Sequence, residues 1–204
     1  MNPVYWLGHL LFRELSRGFF GLNVVGAENL KLAGPALIAS NHVSYLDPPF
    51  VGSTFDEDIY FLARKSLFRY AFTKWLLTHW QAIPVDRDRP DPGSIKMIFR
   101  RLKEGKKVII FPEGTRSLDG GLLPGEPGVG MMIAKAQVPV IPVRIFGAFE
   151  ALPRDKKLPQ PVRITVAVGK PWQYRAADFP NAGKEVYQQI SDEVMRQIAE
   201  LQNS

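Results

Sequence analysis

Short apolar runs that are typical of buried strands alternate along this chain with segments patterned like helices or turns. In residues 184–202, valine, isoleucine and leucine recur on one helical stripe, and a second helical segment, 94–103, ends just before Gly105. This alternation predicts a single α/β domain in which helices flank a central, mixed and mostly parallel sheet. The predicted strands are residues 36–40, 59–63, 82–85, 107–111, 138–146 and 162–168, and a further helix is predicted at 129–136.

The composition supports one domain with a substantial core. The chain has 204 residues, of which 46% are hydrophobic, and no long linker divides it. Cysteine is absent, which excludes disulfide bonds and thiolate chemistry. The three histidines are scattered along the sequence, so no zinc site or other metal site is predicted.

Two polar motifs lie at the ends of predicted strands. Asn-His-Val-Ser-Tyr-Leu-Asp-Pro occupies residues 41–48, and Phe-Pro-Glu-Gly-Thr-Arg-Ser occupies residues 111–117. A histidine held by a carboxylate is a general base that can deprotonate an alcohol, so His42 and Asp47 are the candidate catalytic pair. Five residues of α-helix turn through roughly 500°, so these side chains cannot pair within one regular helix. We therefore expect a strand-to-helix turn between them, with Asp47 as the helix N-cap and Pro48 in the first turn.

Each of these residues also has an ordinary explanation. Asp47 alone is typical of a helix cap, and a single histidine is typically a hydrogen-bonding residue. His9 and His79 lie in aromatic amphipathic stretches without a suitably placed acid, which indicates interfacial or structural roles. For His42 and Asp47, the joint pattern and the second motif favour catalysis.

The second motif places a cation at the same kind of sheet edge. Arg116 leaves the strand 107–111 in a turn, where its guanidinium can hold a phosphate through two parallel hydrogen bonds. Gly114 permits close backbone approach, and we expect neighbouring amides to face a developing oxyanion. Arg87, which follows the strand 82–85, is a weaker signal of the same type. Taken by itself, the loop is also compatible with a polar turn that carries a surface arginine.

The charge and the aromatic residues indicate contact with an anionic membrane surface. The net charge is +6 and the isoelectric point is about 9.6. Two segments, 5–20 and 66–80, combine tryptophan, phenylalanine and leucine with basic residues. Both are too short and too charged to span a bilayer, which needs roughly 20 apolar residues, but they suit helices that lie in the membrane interface. Packing into the core explains either segment alone equally well.

The N-terminal segment is not predicted to be a signal peptide. It contains Arg13, Glu14 and Arg17 and lacks a clear small-residue cleavage site. We expect residues 1–22 to be a retained amphipathic membrane-interface segment. The protein is then expected to be peripheral or monotopic, on the cytoplasmic face of the membrane.

Four sequence blocks, which follow one another at residues 41–47, 83–87, 111–117 and 138–143, resemble those of the glycerolipid acyltransferases. The likeness is greatest to the 1-acyl-sn-glycerol-3-phosphate (lysophosphatidic acid) acyltransferases. Two blocks are the motifs described above. The others are Ile-Pro-Val-Asp-Arg at 83–87 and Val-Pro-Val-Ile-Pro-Val at 138–143. The spacing of His42 and Asp47 alone is weakly specific, but the ordered set is highly specific.

The resemblance implies that residues 23–204 form an acyltransferase domain. His42, oriented by Asp47, would deprotonate the free sn-2 hydroxyl of 1-acyl-sn-glycerol-3-phosphate. This lysophospholipid would attack the thioester of acyl-coenzyme A or of acyl carrier protein, giving phosphatidic acid in phospholipid biosynthesis. No metal or prosthetic cofactor is implied, because a thioester already carries an activated carbonyl. The acceptor-binding positions implied by the family pattern are Arg87, Glu113, Gly114, Thr115 and Arg116.

The sequence departs from the family pattern after the third block. Many members have a lysine shortly before a glycine there, whereas this chain has Gly-Glu-Pro-Gly at 125–128. The exchange leaves open a different acceptor, either another lyso-lipid or an amino-acid lipid, and Arg64 and Lys65 are candidates for compensating charge. A non-enzymatic basic protein that binds membrane surfaces would explain the charge but not the ordered blocks. No nucleic-acid partner is predicted, because no zinc-finger or base-stacking motif is present.

Overall fold

One sheet of seven strands organises a computed structural model of the chain, which describes residues 2–86, 91–153, 156, 158–179 and 184–203. The strands are β1 (Asn23–Val25), β2 (Ala36–Ser40), β3 (Ile59–Arg64), β4 (Ala82–Val85), β5 (Lys107–Ile110), β6 (Val140–Phe146) and β7 (Thr165–Val168). Their order is β1-β7-β6-β2-β5-β3-β4. Strands β6 and β7 are antiparallel, and the other neighbouring pairs are parallel. The prediction of a mixed, mostly parallel sheet is confirmed.

Helices cover both faces of this sheet. The central strand β2 is buried along its whole length, and its alternate side chains enter opposite layers of the core. Ile38 packs in the layer that contains Phe50, and Leu37 packs in the layer that contains Ile190. The helices of the described residues are α1 (Pro3–Phe20), α2 (Asp47–Ser53), α3 (Ala71–His79), α4 (Pro92–Lys103), α5 (Pro127–Ala136), α6 (Ala148–Ala151) and α7 (Lys184–Glu200).

Most element boundaries differ from the predicted ones by a few residues. Strands β2 and β4 have the predicted bounds, whereas β5 ends at Ile110 because Phe111 already begins a turn that closes on Gly114. Strand β6 begins after Pro139, which has no N–H to donate to a ladder. Strand β1 and helix α6 were not predicted, because three or four residues are too few to show a periodicity.

The second aromatic segment is not one helix. A 3-10 helix covers Lys65–Arg69, Tyr70 is extended with φ −93° and ψ 137°, and α3 follows. Large apolar side chains on both parts are exposed, namely Leu67, Tyr70, Phe72 and Trp75.

Helix α1 packs on the domain through one of its sides. The rings of Phe12 and Phe20 lie against that of Phe50 in α2, with centroids 5.4 and 5.1 Å apart. The phenol oxygen of Tyr5 accepts a hydrogen bond of 2.9 Å from the amide of Ile59. These contacts confirm that part of the segment 5–20 belongs to the core.

The opposite side of α1 carries an apolar stripe in solvent. Between the two sides, Arg13 of α1 forms a 2.6 Å ion pair with the exposed Asp56. Among the described residues, no helix is both long enough and apolar enough to cross a membrane. Contact of the stripe with a membrane stays a prediction. The exposed side chains are Trp6, Leu7, Leu10, Leu11, Leu15 and Phe19.

Replacing Tyr5 by phenylalanine removes the acceptor of the Ile59 amide and keeps the ring. We expect the free energy of unfolding to fall by about 1–3 kcal/mol, because a buried N–H is left without a partner. Denaturant unfolding measures this change. The matched control is Tyr70→Phe at a side chain that is 73% exposed, which should alter stability by less than about 0.5 kcal/mol. Equal losses in the two variants would contradict the role of this hydrogen bond.

Candidate active site

Parallel pairing of β2 with β5 brings the two polar motifs to the same edge of the sheet. Both strands end there, and the backbones that follow are hydrogen bonded to each other. The amide of His42 donates to Oε1 of Glu113 at 3.1 Å, and the amide of Ser117 donates to the carbonyl of His42 at 2.8 Å. Residues that are distant in sequence therefore form one loop cluster.

His42 and Asp47 form the predicted pair across a strand-to-helix turn. Nδ1 of His42 lies 2.8 Å from Oδ2 of Asp47. The same oxygen accepts hydrogen bonds of 2.7 Å from the amides of Val43 and Ser44. Three contacts on one oxygen favour the ionised carboxylate, which assigns the proton of the imidazole to Nδ1 and the role of base to Nε2.

The prediction that Asp47 caps helix α2 is wrong. Leu46 occupies the N-cap position, and Asp47 is the first residue of the helix. The carboxylate points back into the turn because its oxygen is held by the amides of residues 43 and 44 and by the imidazole. The turn is thus closed by the side chain that orients His42.

His42 lies at the wall of a cleft, and Asp47 lies behind it. Asp47 is fully buried and His42 is 4% exposed. The imidazole stacks on the ring of Phe111, with centroids 4.0 Å apart and an interplanar angle of 19°. Burial raises the pKa of Asp47, and the hydrogen bonds from His42, Ser44 and Val43 oppose that rise. The cleft has a volume of about 560 Å³ and is lined by His42 together with Phe61, Arg64 and Arg116.

Arg116 reaches the same cleft from the second motif. Its guanidinium carbon lies 3.5 Å from the centroid of the Tyr45 ring, a cation–π contact at the cleft wall. Tyr45 was not singled out by sequence reasoning, although it belongs to the first motif. An aromatic ring beside a motif histidine is the signal that would have drawn attention to it.

Two of the loop amides are not available for the predicted oxyanion site. The amide of Gly114 donates to the carbonyl of Phe111 at 3.1 Å, and that of Thr115 donates to the carbonyl of Glu113 at 2.7 Å. Both are used inside the turn, which requires the left-handed φ of 65° at Gly114. Gly114 and Thr115 do line the cleft. Arg87 lies outside the described residues.

Glu113 is a buried carboxyl group in the loop cluster. Burial raises its pKa to about 7, although hydrogen bonds from the amides of His42 and Leu123 lower it and the charge of Asp47 adds to the rise. Its Oε1 accepts from the amide of His42, so Glu113 helps to position the strand end that carries the imidazole.

Asn41 is a positioning residue that sequence reasoning missed. Its side-chain oxygen accepts from the amide of Ile145 at 2.7 Å, and its side-chain nitrogen donates to the carbonyl of Ile145 at 3.1 Å. The buried amide thus extends the pairing of β2 with β6 beyond the end of the strand. In the part of the chain that the structure describes, no group of three or more His, Cys, Asp or Glu side chains could hold a metal ion.

Comparison with known proteins assigns this arrangement to a family. A family model described as Acyltransferase matches residues 21–146, which is more than half of the chain and contains both polar motifs. The chain belongs to the Acyltransferase family. The resemblance predicted from the four blocks is therefore confirmed.

Relatives of this acyltransferase are named as enzymes. This chain is 30% identical over 185 residues to a 1-acyl-sn-glycerol-3-phosphate acyltransferase of Bacillus subtilis (strain 168). The match covers 90% of this chain and 89% of the relative. The chain is 28% identical to a chloroplastic 1-acyl-sn-glycerol-3-phosphate acyltransferase of Brassica napus, over 91% of this chain and 52% of that protein. The chain thus spans about half the length of the plant relative.

A solved structure has the same fold. The crystal structure of the 1-acyl-sn-glycerophosphate acyltransferase from Thermotoga maritima matches with a TM-score of 0.75 and 24% identity. The match covers 95% of this acyltransferase and 78% of that chain. It confirms the predicted α/β architecture.

Glu113→Gln should make the stability of the acyltransferase less sensitive to pH. The folded state raises the pKa of this carboxyl from 4.5 to about 7, so its contribution to stability is fully present below the unfolded value and is lost as pH rises through about 7. Glutamine does not ionise, and its amide oxygen can still accept from the His42 amide. We expect the variant to gain stability relative to the parent between about pH 5 and about pH 8.

Urea unfolding at the two pH values measures this difference. Glu185→Gln, at an exposed carboxylate of α7, is the control and should show no such change between the two pH values. A constant difference between Glu113→Gln and the parent at both pH values would contradict the raised pKa.

Proposed function

We propose that this acyltransferase transfers an acyl group from a thioester to the sn-2 hydroxyl of 1-acyl-sn-glycerol-3-phosphate, giving phosphatidic acid. The observation that carries the proposal is the 2.8 Å contact between Nδ1 of His42 and the buried carboxylate of Asp47, at the wall of a cleft that also contains Arg116. The names of the Bacillus subtilis and Brassica napus relatives support this choice of acceptor.

The proposed reaction uses His42 first as a base and then as an acid. Nε2 takes the hydroxyl proton while the hydroxyl oxygen bonds to the carbonyl carbon of the thioester. The tetrahedral intermediate then collapses with cleavage of the carbon–sulfur bond, and the imidazolium returns the proton to the leaving sulfur. Asp47 keeps the ring in one orientation and stabilises its transient positive charge. The thioester is itself activated, so this sequence of steps needs no metal or prosthetic group.

We assign the phosphate of the acceptor to Arg116. Its guanidinium lies in the same cleft as the imidazole and can make two parallel hydrogen bonds to a phosphate. The ring of Tyr45 beneath it limits the directions in which the guanidinium can point, which lowers the entropy lost on binding. Glu113, Gly114 and Thr115 hold the loop that presents this arginine.

A lyso-lipid acceptor places the enzyme at a membrane surface in this proposal. The exposed stripe of α1, with Trp6 49% exposed, and the exposed residues of α3, with Trp75 49% exposed, supply apolar side chains for the interface. The net charge of +6 favours anionic lipids. We expect residues 1–22 to act as the interfacial segment, on the cytoplasmic face.

One contact favours a second acceptor class, another lyso-lipid or an amino-acid lipid. Glu126 lies against the second motif, since a side chain built on Gly114 would come within 3.1 Å of its Cγ. An acid beside the acceptor loop would select against a doubly charged phosphate and for a head group that carries a cation. A panel of acceptors with and without an amine tests this alternative.

His42→Ala should lower the rate of acyl transfer by about 10²–10⁴-fold, because the general base is lost. Transfer is measured with labelled acyl-coenzyme A and 1-acyl-sn-glycerol-3-phosphate in vesicles. The control His79→Ala removes a histidine that does not line the cleft and should keep the parental rate. Both variants should still sediment with anionic vesicles, because the apolar stripe of α1 is unchanged. Parental turnover by His42→Ala would refute the assignment of the base.

Arg116→Ala should raise the KM for 1-acyl-sn-glycerol-3-phosphate by about tenfold or more, since a charge-assisted bidentate contact is lost. The KM for 1-acylglycerol, which lacks the phosphate, should change far less. Arg175→Ala, at an exposed arginine that does not line the cleft, is the matched control. A similar rise for both acceptors would argue against direct recognition of the phosphate.

A further inference from the structure

A groove between α4 and α5 has an apolar floor. Its volume is about 760 Å³, and the half-buried side chains of Ile95, Phe99 and Met131 line it. The floor residues belong to two different helices, α4 and α5, and Phe99 and Ile95 lie one turn apart on α4. The groove is therefore an elongated trough along α4, and it is separate from the cleft that contains His42.

The rim of this trough is cationic. Lys96, Arg100 and Lys103 follow one another along one face of α4, and Lys135 lies across the trough on α5. All four side chains are exposed. Of the acids on the rim, Glu104 is bonded to Arg100 at 3.0 Å and to Arg101 at 2.7 Å, which neutralises it.

The three lysines of the rim have no ion-pair partner within residues 2–86, 91–153, 156, 158–179 and 184–203. The remaining acid, Asp91, accepts hydrogen bonds from Ser94 and from the amide of Asp86. The trough thus presents a net positive rim above an apolar floor.

The trough opens at the sheet edge that carries the active-site cleft. The carboxylate of Asp91, at its mouth, accepts from the amide of Asp86 at 3.0 Å, and Asp86 follows the end of β4. Asp86 lines a hollow together with Arg64, Lys65 and Arg69, and that hollow shares Arg64 with the cleft of His42. This hollow, which carries three cations, thus adjoins both the mouth of the trough and the cleft that contains His42.

We propose that this trough docks the acyl donor in the form of an acidic helical carrier protein whose thioester is borne on a flexible arm. An amphipathic helix of such a partner would place apolar side chains on Ile95, Phe99 and Met131 and carboxylates beside the lysines. The arm would then reach His42 by way of the hollow that contains Arg64. The inference rests on the proposed function, and it chooses the carrier protein over coenzyme A as the donor that this surface recognises.

The spacing of the cations favours a helix over a nucleotide. From Lys96 to Lys103 is about two helical turns, or roughly 10 Å. A phosphate group needs donors that converge on one point, whereas these charges are spread along a line. A membrane is also a poor match, because the floor is recessed and half-buried, in contrast to the protruding Trp6 and Trp75.

The direct test is binding of acyl carrier protein to the full chain, measured by calorimetry at low salt. The Lys96→Glu/Lys103→Glu variant should raise the Kd for the carrier by about tenfold or more, because attraction at two rim positions becomes repulsion. The control Lys31→Glu/Lys170→Glu makes the same change of charge at exposed lysines outside the trough and should leave the Kd within about twofold. If the glutamate pair lowers the melting temperature, Lys96→Gln/Lys103→Gln replaces it.

Turnover supplies the second readout. With palmitoyl-acyl carrier protein as donor, the rim variant should raise the KM about tenfold, whereas with palmitoyl-coenzyme A its KM should stay within about twofold of the parent. The docking site would be overturned if the KM rose equally for both donors or if the Kd for the carrier did not change. It would also be overturned if the control variant lost as much carrier affinity, or if the rim variant lost vesicle binding while it kept carrier binding. Undetectable binding of the carrier to the parent chain would do the same.

The docking site and the proposed reaction can be tested independently. If turnover with coenzyme A depends on His42 but the rim variant binds the carrier like the parent, the docking site is wrong and the acyltransferase mechanism stands. If the rim variant loses carrier binding but neither donor supports turnover with any acceptor, the docking site stands and the proposed reaction is wrong.

Discussion

The carboxylate of Asp47 closes the turn between β2 and α2. One oxygen accepts hydrogen bonds from the imidazole of His42 and from the amides of Val43 and Ser44, at 2.7–2.8 Å. Because the group is fully buried, each missing donor would leave charge in apolar surroundings, so the backbone of the turn has little freedom to rearrange. The orientation of the ring follows from the conformation of the turn, which the same oxygen enforces.

A second set of hydrogen bonds makes the active-site edge a single unit. The backbone of His42 donates to Glu113 and accepts from Ser117. These bonds hold the loop that carries Arg116 beside the turn that carries the imidazole. Parallel pairing of β2 with β5 is what allows this, because both strands deliver their following loops to the same edge. The pairing of these strands therefore sets where the base and the cation lie relative to each other.

Part of this arrangement was predictable because independent constraints coincided. Helical geometry excluded a helix between His42 and Asp47, and the apolar run before them indicated a strand, so only a strand-to-helix turn was left. The hydrogen bond of Glu113 to the turn could not be predicted from the sequence. Its partner is a backbone amide, and every residue type except proline has one, so the sequence carries no sign of the pairing. Amides near Gly114 were expected to face an oxyanion, but those of Gly114 and Thr115 are hydrogen bonded inside the turn. The left-handed φ of Gly114 that shapes this turn is not visible in the sequence. Short elements such as β1 could not be predicted either, because three residues are too few to show a hydrophobic periodicity.

Helix α2 connects the orienting carboxylate mechanically with the first helix of the chain. Asp47 is its first residue, and Phe50, less than one turn later, is the residue on which Phe12 and Phe20 of α1 rest. Close packing at Phe50 means that a displacement of α1 requires α2 to adjust as well. The helix whose outer stripe faces solvent therefore rests, on its inner side, on the same short helix that begins with the acid behind His42.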